Sequence, residues 1–265
     1  IPEIEVGSFV PPKLLPQMAD TAKVVEGALL FKNLKVSVLV PNFRGAIDAM
    51  ASGAHQLNYV LSVSEAHSQS NVRKSVHEAI DDFEKILKFR KEHPEYSDVK
   101  VGIGLATAFG CTIAGEINLP SVLGVLERIV ALEPDEIAIA DTVGYGNPAQ
   151  TKTIFTEVLS IADGCPVAAH FHDTRGLGLA NVCAALDVGV THFDASLGGL
   201  GGCPYAPGAS GNVVTDDLVF MLEAMGLNTG VNLDRLLKTR TYMESCLKGE
   251  ITRGAIAMAG VPKGF

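Results

Sequence analysis

The chain has 265 residues, of which 47% are hydrophobic and 19% charged, and it carries a formal net charge of -9. That apolar fraction excludes an intrinsically disordered chain. The sequence contains no run of about 18 apolar residues, which is the length that predicts a transmembrane helix. The acidic balance argues against nucleic acid as the main partner, because phosphate binding requires basic side chains. Five cysteines without a Cys-x-x-Cys pair do not predict a disulfide framework or a zinc knuckle, which indicates a reducing compartment.

Seven strand-like apolar runs alternate along the chain with helical patterns. The runs cover residues 2–7, 35–41, 56–63, 100–107, 136–141, 167–172 and 192–197. Helix start signals lie between them, at Ser75 with Glu78, at Pro120 and at Asn147-Pro148. Further helices are predicted over 176–188 and 232–249. Strands that are almost continuously apolar, each followed by a helix, predict a parallel sheet covered by helices.

The number of these units indicates the fold. No Pro/Ser-rich linker divides the chain, so we expect one domain over 1–265, and an α/β barrel of about 250 residues needs eight β/α units. Seven are present, and the chain begins with a strand at Ile1. We therefore expect a TIM (β/α)8 barrel that lacks its first β/α unit and carries extra C-terminal helices. A doubly wound sheet is the weaker alternative, because no Gly-x-Gly-x-x-Gly opens a helix after a strand.

The strongest chemical motif is the pair His170 and His172 at the end of the sixth predicted strand. Residues two apart on a strand project to the same face, so both imidazoles point one way and Phe171 points the other. Two imidazoles at the carboxyl end of a barrel strand are typical of a metal site. A pair of structural histidines is the alternative. The other histidines are scattered singly, and His67 lies in a polar stretch that predicts a surface position.

A Gly-rich segment over 196–212 contains six glycines and places Cys203 at its middle. A thiol in such a loop over a barrel mouth is typical of a chemical role, as a nucleophile or as an acid that donates a proton, although an incidental cysteine in a flexible connector is the alternative. Asn212 ends the segment. Its side chain either caps the next helix or supplies a hard oxygen ligand to a metal.

Two carboxylates complete the candidate site. Glu5 lies within the first predicted strand between apolar neighbours, which predicts an inward-facing group that is costly to bury unless it is paired or linked to a metal. Asp141 ends the strand over 136–141. Asp194 and Asp173 are weaker candidates, and Arg175 is a possible ion-pair partner for either of them.

Taken together, these segments resemble the 3-hydroxy-3-methylglutaryl-CoA lyase family, a group of metal-dependent TIM-barrel enzymes that also includes isopropylmalate synthase. The resemblance is carried by HFHDTRGLGLAN from His170, by GGLGGCPYAPGASGN up to Asn212 and by TDDLVFMLEAMGLNTGVNL from Thr215. EVGSFVPPKLLPQMAD from Glu5, VPNFRG and ADTVGYGNP match further elements. The match runs through about nine-tenths of the chain, and the Gly-rich cysteine loop is highly specific.

The resemblance implies a site. His170, His172 and Asn212 would bind a divalent metal, Mg²⁺ or Mn²⁺, while Cys203 would be the catalytic loop cysteine. Glu5 and Asp141 would be the active-site carboxylates. The family's remaining protein ligand is the Asp of an Arg-Asp-Gly motif on its first strand, and this motif does not occur in the sequence. We expect that motif on the β/α unit upstream of Ile1.

The implied reaction is a retro-Claisen cleavage of 3-hydroxy-3-methylglutaryl-CoA to acetyl-CoA and acetoacetate. The metal would chelate the hydroxyl and carboxylate of the substrate, and Asp141 or His170 would remove the hydroxyl proton. Cys203 would protonate the thioester enolate that remains. Arg73 and Lys74 are candidate contacts for the phosphates of CoA, and a solvated helix start is the equally weighted alternative for this pair.

Two alternative functions stay open at this point. A sister lyase acting on another 3-hydroxyacyl-CoA, such as citramalyl-CoA, has the same metal chemistry, and Leu14-Leu15 stands where several family members carry a Trp. A barrel without catalytic activity would follow if the native protein truly lacked the Arg-Asp-Gly motif. The resemblance also implies an acyl-CoA substrate, a homodimer, no membrane partner, and a location in the bacterial cytoplasm or, in a eukaryote, the mitochondrial matrix.

Overall fold

The computed structural model describes residues 1–202 and 211–265. Its centre is a sheet of seven parallel strands whose spatial order follows the chain order, β1-β2-β3-β4-β5-β6-β7. The strands are β1 Glu3–Ser8, β2 Lys35–Val40, β3 Gln56–Ser62, β4 Lys100–Ala106, β5 Glu136–Asp141, β6 Val167–Phe171 and β7 His192–Asp194. The predicted α/β class and parallel sheet are therefore confirmed. The last strand is shorter than predicted, because the chain turns at Leu197–Gly199 into a short 3-10 helix.

Helices between the strands cover one side of the sheet, and in the described part of the chain three further helices follow the last strand. They are α1 Thr21–Ala28, α2 Phe43–Ala51, α3 Glu65–Val72, α4 Val76–Glu92, α5 Leu119–Val130, α6 Pro148–Ala162, α7 Gly178–Asp187, α8 Thr215–Ala224, α9 Leu233–Cys246 and α10 Ala255–Ala259. The predicted capping box of Ser75 and Glu78 opens α4, and Asn147 caps α6 with Pro148 at its first position. Of the described helices, none combines the length and the apolarity needed to span a bilayer.

The two faces of the sheet differ in chemistry, and this difference positions the site. The face under the helices carries large apolar side chains that are at most 2% exposed, among them Val38, Leu57, Ile103, Ile137 and Phe171. The opposite face carries many small or polar residues that solvent partly reaches, among them Asn58, Gly104, Ala138 and His170. Apolar and polar residues therefore alternate along the strands, whereas the sequence predicted continuous apolar runs. The reason is that only the helix-facing side joins the main core.

The sheet is curled toward its polar face. The carboxyl group of Glu5 on β1 lies close enough to Asp194 on β7 and His170 on β6 for their charges to act on it. Strands from the two ends of the sheet thus contribute side chains to one concave surface. This surface lies opposite the hydrophobic core, and it is where the predicted chemical residues gather.

The C-terminal helices form a second, smaller core beside the end of the sheet. Val219 of α8, Leu233 and Leu236 of α9, and Ile256 of α10 are each at most 8% exposed and pack together. The carboxylate of Asp217 accepts the backbone N–H groups of Ala255 and Ile256 and so fixes α10 to α8. The C-terminal segment is therefore attached to the rest of the fold by both apolar and polar contacts.

The surface position predicted for His67 is wrong. This side chain is only 2% exposed, and its Nδ1 lies 2.7 Å from Ser62 Oγ at the end of β3. Burial lowers the pKa of His67, so the neutral imidazole is favoured there. The prediction relied on the polar residues that surround His67 in the sequence. Two of these residues, Ser64 and Ser68, are themselves buried.

Candidate active site

The two histidines of the His-x-His motif lie on the concave face at the end of β6. Their ring centroids are 5.2 Å apart with planes inclined by 50°. Between them, Phe171 points to the helix-facing side and packs edge-on against Phe109 and Phe155. The strand alternation expected from the sequence therefore places both imidazoles together.

Asn212 is brought to His172 by the backbone. The two residues form an isolated antiparallel β-bridge, and the N–H of Val213 donates to the carbonyl of Phe171 at 3.1 Å. Residues paired in this way carry their side chains on the same face. Gly211 makes the approach possible, because a Cβ at this position would overlap the carbonyl of Gly199. Asn212 therefore stands beside His172 despite its distance in sequence.

The amide of Asn212 is oriented by two carbonyl groups. Its Nδ2 donates to the carbonyl of Leu200 at 2.8 Å and to that of Gly201 at 3.1 Å. Since both partners are acceptors, the nitrogen must face them, and Oδ1 is left buried without a hydrogen-bond partner among the described residues. The alternative role as a helix cap is not observed, because α8 is preceded by Val214 at its N-cap.

The two histidines have different electrostatic environments. Burial alone would lower the pKa of His170, but its hydrogen bond to Asp194 and the negative charges of Asp194, Glu5 and Asp141 outweigh burial and raise it. Burial and the neighbouring His170 lower the pKa of His172 to about 4. His172 is therefore neutral at pH 7, and its Nδ1 has no hydrogen-bond partner in the described part of the chain.

This set of donors fits a divalent metal. A neutral imidazole is the form that binds metal, and an unpartnered buried amide oxygen is a hard donor suited to Mg²⁺ or Mn²⁺. His170 Nδ1 lies 3.2 Å from Asp194 Oδ2, which is the support that metal-binding histidines commonly receive from a carboxylate. Within 1–202 and 211–265, no group of three or more His, Cys, Asp or Glu side chains is arranged to hold a metal ion, so the donor set here is two imidazoles and one amide.

Glu5 faces the concave surface as predicted, and a polar chain holds it there. Asn58 Nδ2 donates to Glu5 Oε2 at 3.1 Å, and Gln56 Nε2 donates to Asn58 Oδ1 at 2.8 Å. Gly102 leaves room for both amides, since a Cβ there would lie 2.7 Å from Asn58 Oδ1. Sequence reasoning missed Gln56 and Asn58, although two amides at alternate positions of an otherwise apolar strand were the available signal.

The carboxyl group of Glu5 has an unusual proton affinity. Desolvation by the surrounding protein atoms raises the pKa of Glu5 to about 7, and the hydrogen bond from Asn58 opposes this shift only in part. Glu5 is nonetheless exposed to solvent, because many protein atoms surround its carboxyl group while the concave face of the curled sheet remains open to water. Solvent therefore moderates the energetic consequence of this shift, and the group is able to change its charge near neutral pH.

Asp141 lies on a different face from the histidines. It continues the alternation of Ile137 and Ile139 on the helix-facing side and is 1% exposed. Its two carboxylate oxygens accept the N–H groups of Tyr145 and Gly146, each at 2.9 Å. Burial raises the pKa of Asp141 and these backbone donors partly oppose the shift. The carboxylate therefore holds the loop after β5 in place.

Arg175 belongs to the same loop region. It donates to the carbonyls of Val143 and Gly144, and its guanidinium lies 4.4 Å from the centre of the Tyr145 ring. A cavity of about 660 Å³ opens beside these residues and is lined also by Phe109 and Gln150. The cavity lies next to the Asp141 loop at the carboxyl ends of the central strands.

Arg73 and Lys74, the candidate phosphate contacts, have separate environments. Lys74 forms an ion pair with Asp82 of α4, and the same carboxylate accepts the N–H of Phe43 at 3.0 Å at the start of α2. Arg73 is exposed and ends α3 in the left-handed conformation, with φ of 57°. Of the pair, Arg73 is the one whose charge is presented to solvent. Cys203, the candidate catalytic cysteine, lies outside the described residues.

Comparisons with known proteins identify the family to which this chain belongs. The HMGL-like family model matches residues 1–243. A hydroxymethylglutaryl-CoA lyase of Bacillus subtilis is 39% identical over 91% of this chain and 79% of its own length, and the mitochondrial hydroxymethylglutaryl-CoA lyase of Bos taurus is 38% identical over 98% and 78%. The solved structure of an HMG-CoA lyase from Acinetobacter baumannii, in complex with coenzyme A and 3-methylmalate, is 39% identical with a TM-score of 0.93 and covers 100% of this chain and 85% of that one.

Proposed function

This chain belongs to the HMGL-like family, and on that premise we propose that it is a carbon–carbon lyase that cleaves 3-hydroxy-3-methylglutaryl-CoA to acetyl-CoA and acetoacetate. The observation that carries the proposal is the meeting of His170, His172 and the unpartnered oxygen of Asn212 on the concave face. Relatives named for this activity match this chain over most of their own length.

Three side chains would hold the divalent metal: His170, His172 and Asn212. When bound, Mg²⁺ or Mn²⁺ would supply the positive charge that lowers the pKa of the substrate's hydroxyl group and orients its hydroxyl and carboxylate. The carbonyls of Leu200 and Gly201 keep the amide nitrogen of Asn212 turned away, so its oxygen remains available. Asp194 keeps the ring of His170 in one orientation.

The first chemical step removes the proton from the 3-hydroxyl group of the substrate. His170 is engaged by Asp194 and is assigned here as a ligand, and the oxygens of Asp141 are engaged by backbone N–H groups. Glu5 lies on the concave face within reach of the charge of His170, and Asn58 binds only one of its oxygens. We assign Glu5 as the proton acceptor, since a base works best when its pKa lies near the working pH.

Carbon–carbon cleavage follows from that deprotonation. As the oxygen's electron pair forms the new carbonyl of acetoacetate, the bond between C2 and C3 breaks and its electrons move into the thioester enolate. A proton must then be added at C2 to give acetyl-CoA. Cys203, which lies outside the described residues, is assigned as the donor because the family resemblance makes it the catalytic loop cysteine and a thiol can act as an acid.

Asp141 is assigned a positioning role in this scheme. Its carboxylate fixes the turn from Tyr145 to Gly146, and its backbone carbonyl accepts the N–H of His172 at 3.3 Å. Loss of the carboxylate would therefore disturb the turn from Tyr145 to Gly146 and the cavity beside Arg175. The phosphates of CoA are assigned to Arg73, whose charge is free of the ion pair that occupies Lys74.

The wider architecture proposed for the protein follows the family. We place 1–265 in one catalytic domain of a TIM barrel, with its active site at the carboxyl ends of the strands. Relatives named as mitochondrial support a matrix location if the source is a eukaryote, and the bacterial cytoplasm is the expectation otherwise. A homodimer is the proposed assembly.

The test is a comparison of acyl-CoA substrates with the intact protein expressed from its full gene and supplied with Mn²⁺. We expect 3-hydroxy-3-methylglutaryl-CoA to yield equal amounts of acetyl-CoA and acetoacetate, with a kcat/KM at least tenfold above that of citramalyl-CoA. A preference for citramalyl-CoA would assign the protein to a sister lyase. Cleavage of neither substrate by metal-loaded protein would contradict the proposed chemistry.

A further inference from the structure

An ion-pair network in the C-terminal helices lies behind the loop that orients Asn212. Arg240 of α9 binds Asp216 of α8 through Nη1 at 2.6 Å, and the two side chains are only 5% and 0% exposed. The Nε of Arg240 also donates to Glu244 Oε1 at 3.0 Å. A charge pair buried to this degree is costly to leave incomplete, so it fixes the relative position of α8 and α9.

The network extends to the backbone through Thr252. The hydroxyl of Thr252 donates to Glu244 Oε1 at 2.7 Å, so Glu244 joins Arg240 to the segment between α9 and α10. Gly254 completes the close packing, because a Cβ at this residue would lie 2.5 Å from Arg240 Nη1. The segment over 252–254 is therefore held directly against the buried charges.

That segment contacts the loop root, which we define as residues 197–201. The N–H of Arg253 donates to the carbonyl of Gly198 at 2.8 Å. On its other side Gly198 packs against Thr252, whose Cγ2 lies 2.9 Å from where a Cβ would stand. Gly198 adopts φ of 69°, a conformation that favours glycine. Thr252 and Arg253 thus fix both the position and the conformation of the loop root.

The loop root in turn fixes the candidate ligand. Its last two carbonyls, from Leu200 and Gly201, accept both hydrogens of the Asn212 amide. Gly201 also approaches that amide closely, since a Cβ there would lie 2.8 Å from Asn212 Nδ2. A continuous series of contacts therefore runs from the buried ion pair, through Thr252 and the loop root, to the amide group of Asn212.

We propose that Arg240, Glu244 and Thr252 are positioning residues for the metal site, acting through the loop root on the amide of Asn212. This inference rests on the metal role given to Asn212 in the proposed function. Thr252 is the informative position, because its hydroxyl binds Glu244 of the network while its Cγ2 packs against Gly198 of the loop root.

The experiment compares Thr252→Val, which removes the hydroxyl, with Thr252→Ser, which retains it. Thr229→Val is the matched control, because Thr229 gives a similar hydroxyl bond to Glu223 outside the loop root. Mn²⁺ affinity is measured by titration calorimetry, and amide exchange of Gly199 and Arg253 is measured in metal-free protein. We expect T252V to weaken Mn²⁺ binding about three- to tenfold and to increase the exchange rates of both amides, while T252S stays close to the wild type in both measurements.

Two outcomes would overturn the proposal. Unchanged amide exchange in T252V would show that the hydroxyl does not hold the loop root, and equal effects of T252V and T252S would show that the bond to Glu244 is not what matters. Failure of the proposed function would give a different result from failure of this inference. If the proposed metal site is wrong, His170→Ala will leave Mn²⁺ affinity unchanged while the exchange difference between T252V and T252S persists.

Discussion

Asp194 on β7 supports His170 on β6, with 3.2 Å between Asp194 Oδ2 and His170 Nδ1. A carboxylate in this place fixes the ring orientation of a metal-binding histidine and raises its basicity. The two residues are paired in the strand register, so the sheet itself supplies the arrangement. Asp194 is therefore the main support of the proposed metal site on this side.

Replacing Asp194 with Asn should weaken Mn²⁺ binding about tenfold, because the amide keeps the size of the side chain but loses its negative charge. Titration calorimetry measures the change. Asp187→Asn is the control, since Asp187 forms an exposed ion pair with Lys152 and should leave the affinity unaltered. An affinity for D194N equal to that of the wild type would remove Asp194 from the site.

Replacing Glu5 with Gln should change how stability depends on pH. The folded state holds the pKa of Glu5 at about 7 against an ordinary value of 4.5, so folding favours the protonated carboxyl group. That stabilisation is complete below about pH 4.5 and is lost as pH rises through 7. E5Q should therefore gain stability relative to the wild type by about 1 kcal/mol between pH 5 and pH 8, a value reduced for solvent exposure.

Urea unfolding in EDTA at the two pH values measures this gain. Glu84→Gln, at an exposed position of α4, should show the same difference from the wild type at both pH values. A difference for E5Q that stays constant from pH 5 to pH 8 would mean that the ionised carboxylate of Glu5 is not destabilised in the folded protein.

Arg73→Gln and Lys74→Gln should have separable effects. R73Q should raise the KM for the acyl-CoA substrate about fivefold with little change in thermal stability, because it removes one exposed charge from a phosphate contact. K74Q should instead lower the free energy of unfolding by about 1–2 kcal/mol, because Asp82 loses its ion-pair partner. If R73Q leaves KM unchanged, the phosphate assignment is wrong.

Replacing Cys203 with Ser should separate binding from chemistry. We expect C203S to bind Mn²⁺ and CoA with nearly wild-type affinity while kcat falls at least a hundredfold, because a hydroxyl is a much weaker acid than a thiol. Cys246→Ser, at an exposed site on α9, is the matched control and should retain full activity. Wild-type turnover by C203S would eliminate the proton-donor role.

The sequence predicted the parts of this molecule that depend on local pattern. The seven strands followed from their apolar runs, and the common direction of His170 and His172 followed from strand alternation. Asn212 was a candidate because it ends the Gly-rich segment, and the family resemblance implied its role as a ligand. Its orientation could not be predicted, because it depends on two carbonyl groups of the loop root that only the fold brings near.

Other features escaped prediction because they depend on contacts between distant elements. The burial of His67 follows from the packing of α3 against β3, while its own neighbours in sequence are polar. The support of Glu5 by Asn58 joins β1 to β3. The face taken by Asp141 could have been read from its alternation with Ile137 and Ile139, but its engagement by the following turn could not.

The most direct test of the central claim is a Mn²⁺ titration of metal-stripped protein in which bound metal and cleavage of 3-hydroxy-3-methylglutaryl-CoA are measured on the same samples. The wild type should bind one Mn²⁺ per chain, and acetoacetate formation should rise in parallel with occupancy. The double variant His170→Ala, His172→Ala should lose both, while His77→Ala, an exposed histidine, should keep both. Full cleavage by metal-stripped protein, or stoichiometric Mn²⁺ binding by the double variant, would contradict the account.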